Sequence, residues 1–436
     1  MSRLNVKHES TLKTHEGAPA KVIAPYQALR RSVMAGMLWE DSFYEDGESV
    51  VDRIQTLIPH CTNEEVAALA IEARTDFRLR HMPLLLMREL ARVAKHKNAL
   101  VADTLAQVIQ RADELAEFLA LYWKDGKQPL SAQVKKGLAK AFVKFDAYQL
   151  AKYNRDNAIK LRDVMFLVHP KPENKVQEAV WKRLVEGKLA APDTWEVALS
   201  AGADKKDTFM RLISNKKLGY LALLRNLRNM KEAGVPKQFV REALIDGAAK
   251  SKALPFRFVA ADHEVPSWAD IIEEAMLLAT ADMQRLEGRT AIAVDCSGSM
   301  KGSLSKRSKM NRFDAAAALA ILVREIADEV DVYAYGTETK LIANRRGFAL
   351  RDALRNSGVG WATYLGNCVN TINQNGPYDR VIVITDEQSH DKVPDPYGTG
   401  YVINVATYQN GVGYCKWIHI DGFSEATVRF IQELEK

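Results

Sequence analysis

Beyond Gly288–Arg289 the chain alternates short, wholly apolar runs with helical stretches, and that alternation leaves few folds open. TAIAVD, VDVYAYG, RVIVITDE, GYVINVAT and KWIHIDGF read as strands. NRFDAAAALAILVREIADEV, LGNCVNTINQ and SEATVRFIQELEK read as helices. Short strands that are apolar along their length and separated by helices predict a parallel sheet covered on both faces, a doubly wound α/β domain over 288–436. Ligands of such sheets sit beyond the carboxyl ends of the strands, where strand order reverses. At that edge the first strand opens into D-x-S-x-S, so Asp295, Ser297 and Ser299 can converge. Asp386 ends the strand expected to lie beside it, and Thr363 sits in the Gly-rich GVGWATYLG ahead of a helix. Two carboxylates and three hydroxyls meeting at one edge suit a hard, oxygen-preferring cation. D-x-S-x-S alone is also what a strand-ending turn favours, so the downstream Thr and Asp carry the distinction.

Residues 24–287 have a different character. NEEVAALAIEARTDF, with Thr62 or Asn63 as N-cap, opens a series of segments with apolar residues at helical spacing. PLLLMRELARVAKH, LVADTLAQVIQRADELAEFLALYW, SAQVKKGLAKAFVKF, NKVQEAVWKRLVEG, GYLALLRNLRNMKEAG and PSWADIIEEAMLLATADMQRLEG follow. Gly or Pro punctuates most junctions, and paired helices in series predict a stacked α-helical repeat array. Residues 1–23 read as a flexible lead-in, in which His8, Glu9 and His15 do not form H-E-x-x-H. A chain of 436 residues has room for two or more such domains.

Charge sharpens the division. Residues 124–257 hold 28 Lys and Arg against 14 Asp and Glu, a net of +14, whereas 289–436 hold 17 of each. The flanks are acidic, 15 against 17 over 1–123 and 1 against 7 over 258–288. The basic block is either a footprint for a polyanion or a set of solvated helix faces. The first fifteen residues are polar and the longest apolar run, AAAALAILV at 315–323, is too short to span a bilayer, so a soluble, cytoplasmic protein is expected. The four cysteines (Cys61, Cys296, Cys368, Cys415) are scattered, which argues against a zinc or disulfide scaffold. No G-x-x-x-x-G-K-[ST] occurs, GVGYCK lacks a third glycine, and C-S-G-S stands in place of G-x-S-x-G. His390 is the one candidate general base near the cation, and no second metal is evident, so the chain is expected not to be an enzyme.

D-x-S-x-S, Thr363 in a T-Y-L context and the strand-ending T-D resemble the von Willebrand factor A domain and its metal-ion-dependent adhesion site. The resemblance implies that Asp295, Ser297, Ser299, Thr363 and Asp386 hold Mg²⁺ or Mn²⁺, leaving a position for an acidic partner group. SFYEDGES (42–49), LLRNLRNM (223–230) and KKGLAKAF, YQLAKYNRDN and LRDVMFLVHPKP within 135–172 resemble the TROVE module. A TROVE module followed by an A domain is the order of the Ro 60-kDa autoantigen family and its bacterial or phage-type orthologs. That resemblance implies a HEAT-like repeat ring closed by the A domain, with small noncoding Y-like RNA on its outer face and single-stranded 3′ ends of misfolded RNA in its hole. It implies RNA quality control, with an exoribonuclease as a partner and the chain itself a monomer. The family's RNA-contacting Lys in K-Y and His in H-x-K-P fall on Lys152 and His169, and an expected Arg falls on Asp156 with Arg155 beside it. Lys160, Arg162 and Lys171 lie close in sequence and can add phosphate contacts. Lys135, Lys136, Lys140 and Lys144 form either an RNA-facing stripe or a solvated one, and Trp361 is expected to pack the metal loop. The reading from a different class is a cation-dependent protein-interaction scaffold acting through the A domain.

Overall fold

Helices begin where capping side chains meet the first free N–H groups. The computed structural model describes residues 13–14, 17–18, 24–35, 47–94, 100–251, 253–304, 309–406, 411, 416–422 and 426–435. The early helices are α1 (Pro25–Ala35), α2 (Gly47–Leu57), α3 (Asn63–Thr75), α4 (His81–Val93), α5 (Leu100–Val108) and α6 (Ala112–Tyr122). Then come α7 (Ala132–Phe142), α8 (Ala147–Tyr153), α9 (Leu161–Val168), α10 (Lys175–Val185), α11 (Trp195–Ser200) and α12 (Lys205–Ser214). The helical run ends with α13 (Tyr220–Arg225), α14 (Leu227–Glu232), α15 (Lys237–Ala248), α16 (Pro255–Glu264) and α17 (Ala269–Thr280). Thr62 and Glu65 form a reciprocal capping box at α3, as the sequence predicts. Among the described residues no helix is long and apolar enough to cross a membrane. His8, Glu9, His15, Cys415 and most of SFYEDGES lie outside the described residues.

Two stretches that read as single helices are each two. Between α5 and α6 the buried Glu114 carboxylate accepts the N–H groups of Gln110 (2.8 Å) and Arg111 (3.1 Å) and pairs with Arg74 (2.7 Å). That capping breaks the helix at 109–111 and ties the new one back to α3. In LLRNLRNM the break is at Asn226, whose buried amide donates to the Ala222 carbonyl at 2.9 Å.

The change to alternating strand and helix comes at β1 (Leu286–Asp295). It is followed by α18 (Arg312–Ile326), β2 (Ala327–Tyr335), β3 (Thr339–Ile342), α19 (Gly347–Arg355) and α20 (Leu365–Gln374). β4 (Arg380–Thr385), β5 (Thr399–Asn404), β6 (Trp417–Asp421) and α21 (Ala426–Leu434) complete it. The sheet order is β3-β2-β1-β4-β5-β6, parallel except for the β3 edge, which the sequence did not suggest. Residues ADEV, read as helix, open β2 instead: α18 ends at Ile326, and Arg285 holds the Ala327 carbonyl at 2.9 Å. Ala291, Ala293, Val381 and Val383 face one side and pack with Leu365, Cys368, Val369 and Ile372 of α20. The intervening Ile292, Val294, Ile382 and Ile384 turn to the other side, and α18 packs against β1, β2 and β4.

Compact bodies do not follow the change in secondary structure. Residues 52–203 form one unit, and the described parts of 1–51 and 204–436 form the other. The sheet begins at Leu286, two residues ahead of the expected boundary, while α16 and α17 pack with α18 in the same body. The buried Arg351–Asp262 ion pair and the Phe348 N–H donating to Glu273 (2.6 Å) fasten α19 to α16 and α17.

Candidate metal centre and nucleic-acid interface

The carboxyl end of β1 builds its own turn. The Ser297 N–H donates to Asp295 Oδ1 (2.9 Å), and the Ser297 and Ser299 hydroxyls lie 3.2 Å apart. The Gly298 N–H donates to the Trp361 carbonyl at 2.9 Å, and a Cβ at 298 would come within 2.9 Å of the Trp361 ring. Glycine's missing side chain therefore lets the 358–364 loop, with Thr363, approach the D-x-S-x-S turn. That loop is also stitched to the chain after β4. The His390 N–H donates to the Thr363 carbonyl (2.8 Å), the Thr363 N–H donates to His390 Nδ1 (3.1 Å), and Tyr364 stacks on the imidazole at 5.3 Å. Asp386 follows β4, in which Ile384 pairs with Val294 of β1. All five predicted ligands thus stand at the sheet edge between β1 and β4, where strand order reverses. Accepting the Thr363 N–H occupies the Nδ1 lone pair, so His390 positions Thr363.

The electrostatics of this edge favour a cation. Asp295 is fully buried and accepts from the hydroxyls of Thr385 (2.8 Å) and Tyr335 (3.3 Å). Burial first, and the Asp386 carboxylate second, push Asp295 up to about 7 despite its hydrogen bonds. Asp386 is also buried, faced by Arg312 at 3.6 Å. The donor set is all oxygen, two carboxylates and three hydroxyls, and so fits a small hard cation. Among the described residues no group of three or more His, Cys, Asp or Glu gathers for a metal, and this edge, with two carboxylates, depends on its hydroxyls to complete an oxygen set.

Sequence reasoning overlooked what stands behind the site. Glu387 is fully buried with φ at 59°, and it holds Arg31 (3.0 Å) and His419 Nδ1 (3.1 Å). Burial raises its pKa, but the charges of Arg31 and His419 outweigh that and hold it below the ordinary range. Arg31 also faces Asp421 at 4.0 Å. No local spacing announces such a cluster, because its members come from α1, β6 and the chain after β4. Trp361 corrects an expectation: it is 71% exposed, with Lys301 Nζ 3.8 Å from the ring centroid, and only a ring edge meets the metal loop.

The candidate RNA residues lie in the 52–203 unit. Lys152 closes α8 with its ammonium 5.7 Å from the Tyr148 ring and 5.8 Å from the Tyr153 ring. Arg155 is exposed, and Asp156 pairs with Lys160 at 2.5 Å, so the residue at the expected Arg position ties up a neighbouring cation. Arg162 is exposed on α9, which His169 ends in the left-handed region (φ 49°, ψ 57°) with its N–H on the Met165 carbonyl (2.9 Å). The exposed His169 lines a groove of about 480 Å³ with Phe166, 56% exposed, and Trp181; Lys171 is exposed nearby in the chain. Lys135 and Lys136 are exposed, but Lys140 pairs with Asp103 (2.5 Å), and Lys144 is held by the carbonyls of Ala106 and Ile109. Those two lysines fasten α7 to the carboxyl end of α5.

With this geometry in view, the likenesses to known proteins fall into place. The TROVE domain family matches residues 177–277. The crystal structure of the Ro (RSR) protein of Deinococcus radiodurans superposes with a TM-score of 0.63 at 18% identity, over 92% of this chain and 97% of that one. The chain shares the fold of that Ro protein. The RNA-binding protein RO60 of Deinococcus radiodurans is 26% identical over 277 residues, 50% of this chain and 52% of that protein. Telomerase protein component 1 of Mus musculus is 35% identical over 83 residues, 18% of this chain and 3% of that protein. The chain therefore spans about half the length of one curated relative and a small part of the other.

Proposed function

We propose that this chain is a Ro-type, RNA-binding ribonucleoprotein component that takes small noncoding, Y-like RNA and the single-stranded 3′ ends of misfolded RNA. The carrying observation is the exposed basic and aromatic face of α8 and α9. It presents Lys152 against Tyr148 and Tyr153, with Arg155, Arg162, Phe166 and His169 exposed on the same two helices and their connections. Aromatic rings stack on unpaired bases while cations neutralise phosphates, giving sequence-tolerant, salt-dependent affinity. Similarity to an RNA-binding relative supports the reading. The chain acts as a cytoplasmic monomer that presents defective RNA to an exoribonuclease and is not itself an enzyme. Mg²⁺ or Mn²⁺ would be held by Asp295, Ser297, Ser299, Thr363 and Asp386, and would offer an acidic partner group a Lewis-acidic contact.

The test is binding of one hairpin RNA with and without a single-stranded 3′ extension, at two salt concentrations. Tighter binding of the tailed RNA, falling steeply with salt, is expected. Equal binding of both removes the selection for free ends. A second reading, a cation-dependent protein scaffold, is favoured by the oxygen cluster in the 289–436 segment, whose net charge is zero; Mg²⁺-dependent protein capture that ignores added RNA would select it.

A further inference from the structure

A basic cavity lies apart in sequence from the residues assigned above. It measures about 630 Å³ and is walled by α13, α14, α16 and the 309–310 segment ahead of α18. Four cations line it, Arg225, Arg228, Arg257 and Lys309, against one carboxylate, Glu264. Glu264 serves two of them, Arg228 at 2.6 Å and Lys309 at 3.1 Å. Arg225 and Arg257 have no carboxylate partner among the described residues, and both are exposed at the cavity wall. The break at Asn226 in LLRNLRNM sets Arg225 and Arg228 on two short helices that share this wall. Between the cations the lining is apolar: Leu224 and Met310 are buried, and Leu221 is half exposed.

We infer that this cavity is a nucleotide-binding subsite, in which Arg225 and Arg257 take a phosphate and the apolar lining takes the nucleoside. Guanidinium forks match phosphate oxygens two at a time, and an excess of three positive charges over the single Glu264 calls for an anion. The volume is that of a small-ligand site, and its open, charged rim also admits one residue of a longer strand. The choice of nucleotide rests on the RNA-binding reading; the need for an anion does not. Free nucleotide and RNA strand share this chemistry.

The experiment uses the full chain and its Arg225→Ala/Arg257→Ala variant, with a labelled single-stranded hexaribonucleotide, free adenosine monophosphate and an untailed hairpin as probes in anisotropy and calorimetry. The variant should bind the hexamer about tenfold more weakly, with a salt slope shallower by about 0.7, the value for one phosphate contact on a single strand. Binding of the untailed hairpin should be unchanged. Both arginines are exposed and without carboxylate partners, so their loss strands no buried charge; circular dichroism checks the fold, and Arg225→Lys/Arg257→Lys should recover part of the affinity. Unaltered hexamer affinity in the Ala variant overturns the subsite while leaving RNA binding elsewhere intact. Arginine-dependent binding of adenosine monophosphate without binding of either RNA upholds the subsite and defeats the RNA reading. A parent chain that binds neither hexamer nor nucleotide overturns the subsite.

Discussion

Asp295 shows what a single residue contributes. Its folded-state pKa, pushed up to about 7 by burial and by Asp386, means that the native chain holds this proton more tightly than the unfolded chain does. The resulting stability is complete below the ordinary carboxylate pKa and is lost as pH rises through about 7. In chelator, the melting temperature should therefore fall between about pH 4 and about pH 7.5, and Asp295→Asn should flatten that fall. Added Mg²⁺ should raise the melting temperature of the parent at the higher pH and leave that of Asp295→Asn unchanged, as read by scanning fluorimetry. The convergence of five candidate oxygen donors was legible because their types and strand-end positions are local facts. The support of Asp295 was not, since Tyr335 and Thr385 arrive from β2 and β4. Lys140 and Lys144 were ambiguous for the same reason: their partners sit on and just beyond α5.

Elements meet through contacts that local propensity misprices. Gly137 in α7 faces α5, where an added Cβ would lie 2.9 Å from the Ala102 carbonyl oxygen and 3.1 Å from Leu105 Cβ. Helix propensity alone predicts that Gly137→Ala stabilises by up to about 1 kcal/mol. The close approach reverses the sign, and urea unfolding should show a loss of about 1–3 kcal/mol. Asp314 does similar service at α18. It completes a capping box with Asn311 and receives Arg355 of α19 at 2.8 Å and His263 of α16 at 3.1 Å. Burial raises its pKa, but the close His263 imidazole, the Asn311 N–H and Arg355 outweigh it, so this carboxylate is held low. Its contribution is present above the ordinary carboxylate range and is lost as pH falls. Asp314→Ala should cost about 2 kcal/mol in urea unfolding at neutral pH and proportionally less in acid. The parallel sheet and the adjacency of β1 and β4 followed from apolar strands and helical spacers, whereas the split helices and β3 did not, because long-range capping and edge pairing decide them.

The whole molecule divides its charge, +14 over 124–257 and zero over 289–436. Gel-shift titration of Lys152→Ala/His169→Ala should show about tenfold weaker RNA binding at unchanged stability. Asp295→Ala should leave RNA affinity at the parent value, since the proposed cation site lies in the segment of zero net charge. A large RNA defect in a folded Asp295→Ala would break that division of labour. The buried Arg31–Glu387 pair, 3.0 Å long, carries a different lesson. Its partners are 356 residues apart, so one body of this protein is stitched from both arms of the sequence while 52–203 is built from a continuous stretch. On a ribosome the continuous body can form as soon as it emerges. The other must keep α1 waiting until β4 and β6 are made, so a delay in translation late in the message leaves Arg31 exposed to the wrong partners.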